Sequence, residues 1–163
     1  MKALTIWQPW ASLLTMFIKQ YETRSWATSY RGPIAIHAAA VKVQQIIKRC
    51  FSTESGKQAF LDVIAKGMNG VHTEKEVVEL MNSFPTGSVV GVAQIVGCCE
   101  IFVGCDGKPF IRTSHGIYKP TYRERMLGDW TPGRYAWEFS DMRPVDPIPA
   151  KGKQGLWPWD GMA

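Results

Sequence analysis

Three charged side chains with complementary chemistry lie close together near the start of the chain: Lys19, Glu22 and Arg24. They are at most five positions apart, so one turn or strand can bring them into a single small site. A lysine ammonium holds a phosphate or, when desolvated, acts as a base or activates a neighbour. Glu22 and Arg24 either brace Lys19 as an ion pair or contact a base edge and a phosphate directly. A solvated lysine at a helix end is the alternative for Lys19.

Aromatic and basic residues flank this trio in the sequence. Trp26 and Arg31 follow it, and an exposed tryptophan beside arginines is typical of a surface on which unpaired bases stack. Burial of Trp26 under the sheet is the competing interpretation. Gln8 and Trp10 precede the trio, where Gln8 and nearby backbone N–H groups can meet an anion or a base. Helix capping and core filling explain Trp10 equally well.

Further cations lie far along the chain. Lys151 and Lys153 flank a glycine in the tail KGKQGLW, and glycine lets a backbone approach a ligand closely. We therefore include both lysines among the candidate ligand-binding residues. The charged run of Arg123, Glu124 and Arg125 is typical of a solvated helix face, and it can also extend a basic track.

The elements that must position the first trio are a strand and a helix. Lys2–Ile6 is predicted as a strand, and Pro9 then occupies a position at which a helix begins. Apolar residues follow at helical spacing, which predicts that one helix face packs into the core. These residues are Trp10, Leu13, Leu14 and Phe17. The trio therefore follows directly on the end of a helix.

The remaining patterns predict an α+β fold with a curled sheet or small β-barrel. Five segments have strand-like patterns, the last rich in proline and extended or at an edge: 34–38, 88–101, 109–113, 133–139 and 141–149. Three segments have helical patterns: 42–51, 56–66 and 73–84. Thr73 and Glu76 have capping-box spacing, and a basic helix is predicted over 118–127. We expect one domain over 1–163, with a helical insertion at about 41–84.

Composition restricts the classes of function. The net charge of +5 favours an anionic partner, nucleic acid first, although many basic proteins bind no anion. The four cysteines predict reduced thiols and match no zinc spacing. No apolar run approaches the ~20 residues that span a bilayer, and the N-terminal segment lacks the apolar region of a signal peptide. We therefore expect a cytoplasmic protein with no membrane, metal or cofactor, whose oligomeric state stays open.

Several blocks of the chain, in the right order, resemble the ASCH family, the domain named for activating signal cointegrator homology. The family's hallmark is a G-x-K-x-x-[E or T]-x-R run after a Gln-Pro-Trp-Ala helix start; here it is FIKQYETR over 17–24. FPTGSVVGVAQIVGC resembles the strand after the helical insertion, and RYAWEFSDMRPVDPIPAKGKQGLW resembles the closing strands and tail. The helical stretch and residues 105–130 lie outside the resemblance.

The resemblance implies a β-barrel related to the PUA fold, with the hallmark residues lining a cleft beside the first helix. It also implies binding of RNA, other nucleic acid or a modified nucleoside, which is our leading prediction. The alternative is a small hydrolase. Some family members are amidohydrolases acting on N4-acetylcytidine, and metal-independent ribonuclease activity is attributed to others. In an enzyme, Lys19 and Glu22 are the candidate catalytic residues.

Two departures from the family pattern affect these expectations. The family glycine is Phe17 here, so we expect the helix to end without a left-handed glycine turn and Phe17 to join the core. The amidohydrolase members place a threonine nucleophile where this chain has Glu22, and we expect the adjacent Thr23 to point elsewhere. A carboxylate does not simply replace a hydroxyl nucleophile. Binding is therefore predicted in preference to hydrolysis.

Overall fold

The chain folds into a mixed α+β structure whose curled sheet forms a half-barrel. A computed structural model describes residues 1–68 and 73–161. Its strands are β1 (Lys2–Ile6), β2 (Tyr21–Arg24), β3 (Gly32–Ala38), β4 (Ser88–Val103), β5 (Pro109–Thr113), β6 (Gly116–Tyr118), β7 (Tyr135–Pro149) and β8 (Leu156–Pro158). Its helices are α1 (Trp10–Thr15), α2 (Val43–Cys50), α3 (Glu54–Gly67), α4 (Glu74–Ser83) and α5 (Tyr122–Leu127).

The order of the strands explains where the charged trio lies. The main path of the sheet is β2-β7-β4-β3-β1-β8, and a hairpin of β5 and β6 extends from β4. β1 pairs in parallel with β3, with Leu4 opposite Ile36. Parallel neighbours require a crossover connection, and this crossover contains α1 and β2. The trio therefore lies on the connection between β1 and β3, which runs through β2 at the far edge of the sheet.

The proline-rich segment predicted over 141–149 is the second half of β7. Pro144 and Pro149 lie opposite Gly91 and Ser88 of β4. On its other side β7 pairs with β2 only over its first residues, within the part of the chain that the structure describes. Proline has no N–H to donate, so it is tolerated where a strand has a neighbour on one side alone. The expected edge character is confirmed for this half of the strand.

The three helical segments between β3 and β4 form as predicted, with ends shifted by up to two residues. We call α2, α3 and α4 the three-helix segment. The capping box is present: Glu76 N donates to Thr73 Oγ1 at 3.2 Å, and Thr73 N donates to Glu76 Oε2 at 2.8 Å. The predicted basic helix begins later than expected, at Tyr122, because the residues up to Tyr118 pair with β5 as β6.

Helix α1 lies between two apolar cores. Leu13 packs in a core of the helices with Phe60, whereas Leu14 packs in a core of the sheet with Trp137. Adjacent residues that face different cores place α1 at the junction between the sheet and the three-helix segment. The predicted burial of Leu13 and Leu14 is therefore confirmed, and the residues that follow α1 emerge at this junction.

The prediction for Phe17 is wrong. Its φ is 60°, in the left-handed region, and its side chain is 64% exposed. Ile18 N donates to the Leu13 carbonyl at 3.0 Å and Phe17 N donates to the Leu14 carbonyl at 3.1 Å, which is the Schellman pattern of helix termination. The helix therefore ends in a left-handed turn, although the chain has no glycine at that position.

Replacing Phe17 with glycine is expected to raise the free energy of unfolding by about 0.5–1 kcal/mol. The left-handed conformation costs a non-glycine residue roughly 1–2 kcal/mol, and the greater flexibility of an unfolded glycine offsets only part of that gain. Urea denaturation measures the difference. Met16→Gly is the control, because Met16 has a φ of −88° and its replacement should destabilise the fold. A Phe17→Gly protein no more stable than the parent would contradict the inference that the left-handed conformation of Phe17 is strained.

Candidate functional site

A cleft of about 560 Å³ opens at the junction where α1 ends. The charged residues that line it are Lys19, Glu22, Arg24, Asp129 and Arg134. The large apolar residues that line it are Trp7, Trp10, Phe51, Met126 and Leu127. The structure therefore brings the three hallmark charges into one cleft and surrounds them with apolar and aromatic surface. A cleft of this size and lining suits a small planar ligand or part of a larger one.

The Glu22 carboxylate lies between two cations. Lys19 Nζ is 3.7 Å from Glu22 Oε2, and Arg24 Nε is 3.0 Å from Glu22 Oε1. Glu22 and Arg24 are two residues apart on β2, so they project from the same face of this edge strand. A carboxylate has about four lone-pair sites, so Glu22 keeps acceptor capacity toward a ligand beyond these two pairs.

Lys19 is a fixed, buried charge. It is only 2% exposed, and its ammonium donates to the carbonyl of Tyr21. Gly128 packs directly beside it: a β-carbon at Gly128 would lie 3.3 Å from Lys19 Nζ and 3.2 Å from Thr23 Oγ1. Any larger residue at position 128 would press on both groups. The alternative of a solvated lysine at a helix end is therefore wrong for Lys19.

Glu124 of α5 holds the turn between α1 and β2 in place, and we call this contact the clasp. Glu124 is 1% exposed, and its carboxylate accepts from Gln20 N at 2.7 Å and from Tyr21 N at 3.4 Å. The two backbone groups immediately after Lys19 are thus tied to a residue more than a hundred positions away. The expectation that Glu124 belongs to a solvated helix face is wrong. The Thr121–Glu124 spacing of a helix cap marks this glutamate in the sequence, but nothing local marks its burial.

A second charged pair borders the cleft beside β2. Arg134 Nε is 3.2 Å from Asp129 Oδ2, and its guanidinium also donates to the Thr23 carbonyl at 3.4 Å. Asp129 N donates to Thr23 Oγ1 at 2.9 Å. Thr23 therefore lines the same cleft as Glu22. The expectation that the Thr23 side chain points away from that of Glu22 stays a prediction, since successive residues of a strand face opposite sides.

These features agree with a comparison of the whole chain with known families. Residues 4–150 match the model of the ASCH domain. The chain belongs to the ASCH domain family. Among curated proteins it resembles Activating signal cointegrator 1 from Homo sapiens, with 34% identity over 95 residues, and from Mus musculus, with 32% identity over 95 residues. Each match covers 58% of this chain and 14% of the relative, so the ASCH domain spans a small part of these relatives' length.

Of the two candidates before the hallmark, the ASCH domain places only Trp10 in the cleft. Trp10 lines the wall and packs on Phe60, with ring centroids 5.9 Å apart. Gln8 is fully buried outside it: its Nε2 donates to Ser12 Oγ at 2.7 Å and to the Pro85 carbonyl at 2.8 Å. Its Oε1 accepts from Ser12 N at 3.1 Å, so Gln8 caps α1 and fastens it to the start of β4.

The candidates after the hallmark also lie outside the cleft lining. Trp26 packs edge-on against Trp137, with centroids 4.6 Å apart, and its carbonyl accepts from the Trp137 indole at 3.3 Å. This contact favours the packing interpretation for Trp26. Arg31 donates to the carbonyls of Thr28 and Tyr30 at 3.1 and 2.9 Å and braces its own loop.

The tail lysines are exposed and lie outside the cleft lining. Thr5 Oγ1 donates to the Lys153 carbonyl at 2.9 Å, and the Thr5 carbonyl accepts from Arg24 Nη2 at 2.8 Å. The backbone of the tail is thereby connected to the hallmark arginine through one residue of β1. Neither Lys151 nor Lys153 is among the residues that line the cleft.

Three further observations concern metal binding, the Cys50 thiol and membrane-spanning helices. Across residues 1–68 and 73–161, no group of His, Cys, Asp or Glu has the arrangement of a metal site. Cys50 lines the cleft, but partial desolvation of its thiol raises the pKa and favours the uncharged, less nucleophilic form. None of the described helices combines the length and apolar character needed to cross a membrane.

Proposed function

We propose that this ASCH domain binds nucleic acid, RNA or a modified nucleoside first, through the cleft around Lys19, Glu22 and Arg24. The observation that carries the proposal is the buried Lys19 beside a carboxylate that a second cation also contacts, in a cleft with aromatic walls. Three cationic side chains line the cleft against two acidic ones. Such a lining attracts a polyanion and leaves an acceptor for a base.

The charged residues have different roles in this proposal. Arg24 and Arg134 are partly exposed, so their guanidinium groups contact phosphate oxygens. Glu22 accepts a hydrogen bond from an amino or imino group on a base edge, as carboxylates do with the N4 amino group of cytosine. Lys19 is too buried to reach along a backbone, and it holds Glu22 in place as a positioning residue.

Salt dependence tests the phosphate contacts. Two contacts to a single strand predict a slope of log affinity against log salt of about −1.4, hence a roughly sevenfold loss between 50 and 200 mM salt. Fluorescence anisotropy with a labelled single-stranded RNA measures it. Arg134→Gln should reduce the slope by about 0.7, whereas Arg31→Gln, outside the cleft lining, should not. Affinity that ignores salt, or no affinity for any oligonucleotide, would overturn the proposal.

A second candidate is hydrolysis of an acylated nucleoside, favoured by the position of Thr23. Its hydroxyl and the Lys19 ammonium both approach Gly128, within 3.2 and 3.3 Å of a β-carbon built there. In this reaction the threonine oxygen attacks the acyl carbonyl while the Glu22 carboxylate takes its proton and Lys19 stabilises the charge on the carbonyl oxygen. The nucleoside amine leaves with that proton, and water then releases the acyl group and restores the hydroxyl. Chromatography of N4-acetylcytidine incubated with the parent and Thr23→Val decides it. Turnover that survives Thr23→Val excludes this mechanism.

Two broader features are also proposed. We propose that the half-barrel is related to the PUA fold, which the order of its strands and the family membership support. We also propose a cytoplasmic location, which the four free cysteines support.

A further inference from the structure

We propose that Trp7, held by Arg49 of the three-helix segment, is the face on which a single unpaired base stacks, so that the cleft selects single-stranded over duplex nucleic acid. This inference rests on the proposed function and names a residue that the hallmark motif does not contain. Trp7 lines the cleft and is 40% exposed, a large share for an indole. An exposed aromatic face at the mouth of a charged cleft is the arrangement that base stacking uses.

Arg49 contacts the ring of this indole. Its guanidinium carbon lies 5.2 Å from the centroid of the Trp7 ring, within the range of a cation–π contact. Arg49 is not among the residues that line the cleft, whereas Cys50 and Phe51, which follow it, are. The cation thus supports the ring without occupying the cleft. Within the described ranges Arg49 has no ion-pair partner, so its charge also stays available to a phosphate at the rim.

The wall beyond Trp7 is already rigid. Phe60 is fully buried, and its ring lies 5.9 Å from that of Trp10 and 4.8 Å from that of Phe51. One buried ring therefore holds two of the aromatic residues that line the cleft. A rigid aromatic surface loses little side-chain freedom when a flat ligand binds, which favours a planar ring over a flexible chain.

The position of Glu22 excludes a paired base. Its side chain is only 10% exposed, so a base reaches it by entering the cleft with its hydrogen-bonding edge first. In a duplex that edge is occupied by the partner strand, and both faces of the base are covered by its neighbours. Stacking on Trp7 and pairing with Glu22 are therefore available together only to an unstacked, unpaired base.

The experiment compares a flat ring with an apolar residue of another shape. Calorimetric titration with cytidine and adenosine monophosphates, and with one RNA sequence as single strand and as duplex, is run on the parent, Trp7→Phe and Trp7→Leu. Trp7→Leu is expected to weaken single-strand binding about five- to 150-fold, the loss expected for one base stack, and Trp7→Phe less than fivefold. Phe102→Leu, which changes an exposed aromatic residue outside the cleft lining, should change nothing.

Arg49→Ala serves as a second variant, because Arg49 is exposed and its loss leaves the core intact. It should weaken single-strand binding about two- to fivefold. Equal affinity for the single strand and the duplex, or parent-like binding by Trp7→Leu, would overturn this inference. If such a result accompanies a parent protein whose nucleotide binding is lost on replacement of Glu22, Arg24 or Lys19, the proposed function stands without this inference. A parent that binds no nucleotide or oligonucleotide overturns both.

Discussion

Replacing Lys19 with methionine is expected to weaken nucleotide binding by about 2–5 kcal/mol, roughly 30-fold to a few thousand-fold, the range for removing one partner of a buried charge pair at a binding surface. Methionine keeps most of the unbranched side chain and removes the ammonium group, with its charge and its N–H donors. Glu22 then has Arg24 as its one cationic partner, and Arg24 is drawn away from the ligand. Calorimetric titration with nucleoside monophosphates, with thermal unfolding alongside, measures the effect.

Lys75→Met is the matched control for this change. It alters the net charge by the same amount, but Lys75 is an exposed residue of α4 outside the cleft lining, paired with Glu79 at 3.8 Å. Its binding should stay within about twofold of the parent, because an exposed pair contributes little. If the Lys19→Met and Lys75→Met proteins lose the same small amount of nucleotide affinity, the buried Lys19 charge does not contribute to ligand binding.

The second large effect is on stability. Glu124→Ala is expected to lower the free energy of unfolding by about 2–4 kcal/mol, because it leaves the buried N–H of Tyr21 and the partly buried N–H of Gln20 without acceptors, at about 1–3 kcal/mol each. In a chain of this size that is a drop in melting temperature of roughly 5–15 °C. Differential scanning calorimetry measures it. The loss should be larger than for Glu124→Gln, which keeps one carbonyl oxygen toward Gln20 N.

Glu79→Ala provides the comparison for Glu124→Ala. Glu79 also lies on a helix, but its side chain is exposed and its ion pair with Lys75 spans 3.8 Å. Its loss should change the unfolding free energy by less than about 0.5 kcal/mol. Similar melting temperatures for the two alanine variants would show that the clasp on the α1–β2 turn does not stabilise the fold.

The sequence predicts those parts of the structure that depend on local patterns. The spacing of Leu13 and Leu14 predicts a packed helix, and Thr73 with Glu76 predicts a helix start, because both depend on residues within one or two turns. The hallmark charges converge for the same reason, since they lie on one turn and one short strand. Phe17 misleads because the Schellman hydrogen bonds at the end of α1 hold a backbone conformation that its residue type disfavours.

The rest of the site depends on contacts between distant segments. The burial of Glu124 and the attachment of Gln8 to the Pro85 carbonyl depend on partners that lie 104 and 77 positions away. Thr23 contacts Asp129 and Arg134 only because the turn before β7 folds back over β2. No periodicity within one segment carries this information, so such residues look like ordinary surface or cap residues until the fold is known.

The hydrogen bond between Gln20 and Glu124 forms only late in translation, because Glu124 is added long after Gln20. These residues are 104 positions apart, so at about 5–20 residues per second the ribosome adds Glu124 roughly 5–20 s after Gln20. During that interval the nascent chain contains the complete hallmark motif but not yet Glu124, Gly128 or Arg134. A stalled translation product that stops short of α5 therefore carries the motif but not a finished cleft.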